Sequence, residues 1–211
     1  LTVLASILLA TAIQAADLRV AVLDFDNLAE VEAEDSLSSL GNDVTLTEKG
    51  ALLLNQQLTG IEGLRVIDRR DFMRKLEQSS TEPDEEMEPS FIHAAQQLRV
   101  DAVLRGTPMS ISRNSRIIDA AAGPESVRFD TITIRVMVQA LDSIDGSVLA
   151  AAQGKQSVDL RQSSIEKTVM GSDELLSMLE KALAQAVGDL SKPLSREISS
   201  RSAKASAAIS I

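Results

Sequence analysis

The clearest pattern in the chain lies between Thr131 and Val158. Ile132, Ile134, Val136, Val138 and Ala140 alternate with Thr133, Arg135, Met137 and Gln139, the period-2 pattern of a strand with one buried face. Asp145-Gly146 follows, a dipeptide suited to a two-residue type I′ turn, and Val148 to Val158 can then pair back. A second regular face runs from Ser172, a capping residue, through Leu175, Leu179, Ala182, Leu183, Ala186, Val187 and Leu190 at helical spacing. Pro193 is expected to stop this helix, leaving Leu194 to Ile211 as a flexible Ser/Ala-rich tail. Both regular faces need a partner. Val136 and Val138 are therefore expected to bury against Leu179, Leu183 and Val187.

Upstream, the pattern alternates between strand and helix. Arg19 to Phe25 reads as a buried strand, and Leu28 to Asp43 as a loop. Thr45 with Glu48 has the spacing of a capping box ahead of a helix carrying Ala51, Leu54 and Leu58, which Gly60 can close. Gly63 to Ile67 is a short strand, and Asp68 is placed to cap a helix carrying Phe72, Met73 and Leu76. Ser79 to Pro89, with five acidic residues and two prolines, predicts an exposed loop, and Ser90 a cap for a helix through Phe91, Ile92, Ala95 and Leu98. Ala102 to Ser112 is the next strand, and Arg113 to Glu125 an insertion expected to be a loop or a mobile β-tip. The pattern predicts a three-layer α/β domain over residues 17–192, a mixed sheet with a long β-hairpin and helices packed on it.

Composition narrows the class. The 211 residues are 44% hydrophobic, without Trp or Tyr and with four Phe, so the core is aliphatic. A net charge of −10 lacks the electrostatic footprint of nucleic-acid binding. Leu1 to Ile13 is an uncharged apolar run, too short to span a bilayer, with small residues Ala15 and Ala16 for cleavage; residues 1–16 are expected to be a signal peptide. The absence of cysteine excludes disulfides, thiolate metal sites, a cysteine nucleophile and a lipidated cysteine within these residues, and points toward an exported bacterial chain.

No catalytic constellation is complete. Val22-Leu-Asp24-Phe-Asp26-Asn resembles the first motif of haloacid-dehalogenase phosphatases, in which the first aspartate attacks phosphate and the second acts as acid or base beside Mg²⁺. That family follows its second aspartate with Gly-Thr or a similar pair, whereas Asn27-Leu28 stands here. His93 is the sole histidine, which excludes a multi-histidine metal site within one chain. Glu82, Asp84, Glu85, Glu86 and Glu88 lack the ligand spacing of an EF-hand, and neither a Walker A nor a Gly-x-Gly-x-x-Gly sequence occurs. No catalytic, cofactor or metal residues are assigned.

Four segments carry a broader resemblance. Val20-Ala-Val-Leu-Asp-Phe25, Leu64-Arg-Val-Ile-Asp-Arg-Arg-Asp-Phe-Met-Arg-Lys-Leu76, Ala95-Gln-Gln-Leu-Arg-Val-Asp-Ala-Val-Leu-Arg-Gly106 and Ile134 to Leu149 are similar, in order, to passages of the CsgG family. These are the curli-secretion channel proteins of the bacterial outer membrane, with soluble relatives such as LpoB and PelC. The resemblance covers about residues 18 to 192 and implies a non-enzymatic assembly or scaffold protein of envelope biogenesis or secretion. It implies protein partners in the envelope, a homo-oligomer, and a periplasmic location with peripheral outer-membrane association. Arg113 to Glu125 and Asp159 to Gly171 are short and charged where the channel carries membrane hairpins, so a soluble member is expected. The strand-helix order is also that of a TolB-like N-terminal module. The alternative is a periplasmic Mg²⁺-dependent phosphatase-like hydrolase using Asp24 and Asp26.

Overall fold

The computed structural model describes residues 17–25, 43–79, 90–119, 126–162 and 170–209. The elements are β1 (Leu18–Val22), α1 (Asp43–Thr59), β2 (Leu64–Val66), α2 (Arg69–Ser79), α3 (Ser90–Gln97), β3 (Ala102–Asp119), β4 (Ser126–Asp142), β5 (Val148–Gln162) and α4 (Ser172–Ile209). One sheet runs β2-β1-β3-β4-β5. β1 pairs in parallel with β2 and β3, each connection crossing over through helices, and β3, β4 and β5 are antiparallel. The fold is the expected mixed α/β sheet in three layers.

Strand alternation sorts the core. Val20, Val22, Leu104, Val136 and Val138 share one apolar cluster with Leu54 and Leu58 of α1 and Leu179, Leu183 and Val187 of α4. The intervening Ala21 and Val103 face the other way, onto Phe72 of α2 and Ala94 and Ala95 of α3. Hairpin and final helix therefore bury each other's regular faces, as the pattern predicts. Asp68 caps α2 as expected, its Oδ1 accepting the Arg70 N–H at 2.8 Å.

Several boundaries differ from the sequence reading. α1 begins at Asp43, two residues before Thr45. At α4 the capping position is Gly171, not Ser172: the Gly171 carbonyl accepts the Leu175 N–H (3.2 Å), and Glu174 reaches back to the Gly171 N–H (3.1 Å). Asp145-Gly146 does not form a two-residue I′ turn. Gly146 alone in this loop has positive φ (71°), and β4 and β5 are joined by Ser143–Ser147. Local polar groups favour this wider loop: Asp142 Oδ1 accepts from Ile144 N–H (2.8 Å), Asp145 Oδ1 from Ser147 N–H (2.9 Å), and Asp101 C=O from Ser143 N–H (3.3 Å).

The largest correction concerns Pro193, which lies inside α4 instead of ending it. A helical proline leaves the carbonyl four residues back, here Asp189, without its donor. Asp189 is exposed, where water can satisfy that carbonyl, and the Ser191 hydroxyl donates to the neighbouring Gly188 carbonyl at 2.7 Å. Leu190 and Leu194 flank the proline one turn apart, 0% and 1% exposed. Continued burial on that face outweighs the missing bond. The segment expected as a tail from residue 193 is helical to Ile209.

Candidate interface on the β3–β4–β5 arm

β3, β4 and β5 hold 18, 17 and 15 residues, at least three times the 5 of β1. Part of the insertion expected as a loop or β-tip is strand: β3 continues to Asp119 and pairs with β4 from Asp119↔Ser126 inward. At about 3.3 Å per residue this antiparallel half forms a long arm. Its two free edges are modified. β3 beyond Leu104 carries Pro108 and a register shift between Pro108 and Ser110, and on β5 the Lys155 N–H donates to Gln185 Oε1 of α4 (3.0 Å). Both devices hinder indiscriminate strand addition.

Toward its distal end the helix-facing side of the arm turns polar. Asp130, fully buried on β4, stands directly across from Ser115 on β3. Its Oδ1 accepts from the Ser115 hydroxyl (2.6 Å) and Arg128 Nε (3.0 Å), while Arg113 pairs with Oδ2. Arg128 also donates to Ser115 Oγ (2.9 Å), closing the network. Burial by itself would raise the Asp130 carboxyl, but the hydrogen bonds from Ser115, Arg113 and Arg128 outweigh it and hold it at about 2. The carboxylate is committed to these three partners. It is a clamp between two strands.

Among the described residues the opposite face of the arm is open. α2 and α3 cover β1 and the start of β3, and beyond them alternate positions on β3, β4 and β5 bring out polar side chains. Thr133 and Ser157 hydroxyls pair across strands at 2.9 Å, Thr131 donates to Asp159 at 2.5 Å, and Arg116 lies 5.5 Å from the centre of the Phe129 ring. Ile117 and Ile118 near the distal end are 67% and 48% exposed.

The residues singled out from sequence are not brought together. Asp24, two residues beyond β1, forms an ion pair with Arg69 at the start of α2, and Asp26 lies outside the described residues. His93 is half-buried on α3; Glu82, Asp84, Glu85, Glu86 and Glu88 lie outside the described residues, as does the apolar run 1–16. Among the described residues no three acidic or histidine side chains converge as metal ligands, and no helix is long and apolar enough to cross a membrane. The Asp130 network was missed because Arg113 to Glu125 reads as aperiodic. Its signal is present in Arg113-x-Ser115 and Arg128-x-Asp130, each two residues apart and so on one face once both segments are strands.

No protein-family model matches the chain, and no curated protein matches it. Among solved structures it is similar to the LpoB C-terminal domain from Escherichia coli (13% identity, 69% of this chain and 86% of that one, TM-score 0.39). It is similar to a PelC dodecamer from Paraburkholderia phytofirmans (16%, 82% and 90%, TM-score 0.33) and to lipoprotein GNA1162 from Neisseria meningitidis (20%, 81% and 98%, TM-score 0.33). At these identities and scores no function transfers.

Proposed function

We propose that the chain is a non-enzymatic assembly or scaffold protein of the bacterial envelope, of the CsgG type, serving envelope biogenesis or secretion. It acts by binding: exported to the periplasm, associating with copies of itself and with envelope proteins, and lying peripherally at the outer membrane. The arm carries this reading. A sheet whose antiparallel half leaves one face uncovered, and whose edges are guarded at Pro108 and Lys155, is built for selective surface contact. The four segments similar to the CsgG family fall on β1, on β2 with α2, on α3 with β3, and on the β4 hairpin, in that order.

The acidic groups those segments contain hold elements together. Asp101 Oδ2 accepts the Arg19 N–H at 2.8 Å, while its own N–H donates to the Arg19 carbonyl at 2.8 Å, locking the starts of β1 and β3. Asp24 anchors α2 through Arg69. These are structural duties, and they disfavour the phosphatase alternative.

The test has two arms. Envelope fractionation with mass spectrometry should find the protein outside the cytoplasm with a new N-terminus near Ala15 or Ala16, and light scattering should find it larger than one chain. Mg²⁺-dependent phosphatase turnover lost in Asp24→Asn, or an intact cytoplasmic monomer, would sink the proposal.

A further inference from the structure

The open face of the arm carries a charge opposite to that of the chain. Against a total of −10, the described charged residues on this face are Arg105, Arg116, Arg135, Lys155 and Arg161 with one carboxylate, Asp159. Strand register sets Arg135 directly opposite Lys155. Like charges facing across a strand pair are destabilising, and neither side chain has an ionic partner among the described residues. Such a pair is best accommodated when an anionic surface covers it.

The form of the face indicates which surface. The Thr133 and Ser157 hydroxyls are spent on each other and that of Thr131 on Asp159, so these three do not converge on a discrete ligand. From Arg105 to Arg116 the cationic positions span roughly 35 Å of strand, and Ile118 stands exposed on the same face at its distal end, whereas Ile117 turns to the opposite face. A cationic sheet face ending in an exposed aliphatic side chain is the combination that binds an anionic bilayer, electrostatics holding the face and apolar burial anchoring the end.

We propose that the outer face of β3–β4–β5 lies against an anionic membrane surface, with Ile118 entering the headgroup boundary. This rests on the envelope reading for bringing protein and membrane together, but the binding is measurable on purified protein whatever its export. Co-sedimentation should show binding to vesicles of phosphatidylglycerol with phosphatidylcholine well above that to phosphatidylcholine alone, falling away in about 1 M salt. Arg135→Glu with Lys155→Glu, shown by thermal melting to fold, should lower that binding about tenfold or more. Ile118→Ser should weaken it several-fold while keeping its dependence on salt. Arg74→Glu on α2 should leave it unchanged.

Equal sedimentation with both vesicle types, or wild-type binding by the folded charge-reversed variant, would overturn the proposal. So would displacement from vesicles by soluble polyglutamate at matched charge, which would identify an acidic protein as the occupant. A protein that is exported yet indifferent to vesicle charge would refute this inference and leave the scaffold reading standing.

Discussion

The carbonyl of Ala182 on α4 lies against Gly154 of β5, so close that a Cβ on Gly154 would overlap the oxygen and stand 2.6 Å from its carbon. Helix and strand meet backbone to backbone, and the same Cβ would lie 3.1 Å from the Ala186 nitrogen. Neither contact is a flexible side chain that can turn aside. Gly154→Ala should therefore destabilise by about 1–3 kcal/mol and Gly154→Val by more. Urea unfolding measures this, and an unchanged midpoint for Gly154→Val would mean that α4 does not sit on β5 at this point.

Phe25 fills the space left by two glycines, since a Cβ on Gly106 of β3 or Gly50 of α1 would run into its ring. Phe25→Ala should cost about 3–5 kcal/mol. Gly106→Ala should be destabilising in the wild type and less so once Phe25 is alanine, giving a coupling of about 0.5–3 kcal/mol in a double-mutant cycle. Strict additivity would place the ring elsewhere.

Leu194 distinguishes a continuous α4 from a helix stopped at Pro193. At 1% exposure within the main apolar cluster, Leu194→Ala should lower stability by about 2–5 kcal/mol. A loose tail would make that substitution silent in a thermal melt.

Asp130 should make the protein acid-sensitive. Its native pKa of about 2 lies below its ordinary 3.8, so the native state binds fewer protons than the unfolded state between those values. The stabilisation is complete above about pH 4 and is lost as pH falls toward 2. Asp130→Asn should be less stable than wild type near neutrality, because Arg113 and Arg128 lose their carboxylate, and should show a shallower decline between about pH 4 and 2. Parallel acid limbs in the two melting profiles would refute this assignment.

Arg99 follows α3 with φ of 53°, a left-handed conformation that glycine adopts without penalty. Its N–H donates to the Gln96 carbonyl (3.0 Å), and Val100 N–H donates to that of Ala95 (2.8 Å), closing the helix end. Arg99→Gly should thus gain up to about 1 kcal/mol, the steric relief being partly offset by greater freedom in the unfolded chain. Chemical denaturation should show a midpoint raised or at least preserved; a marked loss would mean that the arginine side chain contributes more than its backbone strain costs.

Hydrophobic period by itself determined most of the strands and helices and the faces they bury, because burying an apolar face is the dominant favourable term and its spacing is written along the chain. The alternation from Ile132 to Ala140 and the stripe from Leu175 to Leu190 are such cases, and both were legible. Tertiary contacts decided what local rules leave open. Pro193 stays helical because Leu190 and Leu194 are both buried; the Asp145-Gly146 loop widens because Asp142, Asp145 and Asp101 accept its N–H groups. The Asp130 clamp and the basic face of the arm arise only when residues far apart in the chain pair in register. Charge and hydrogen bonding act between neighbours in space, and the order of residues does not state which strands will be neighbours.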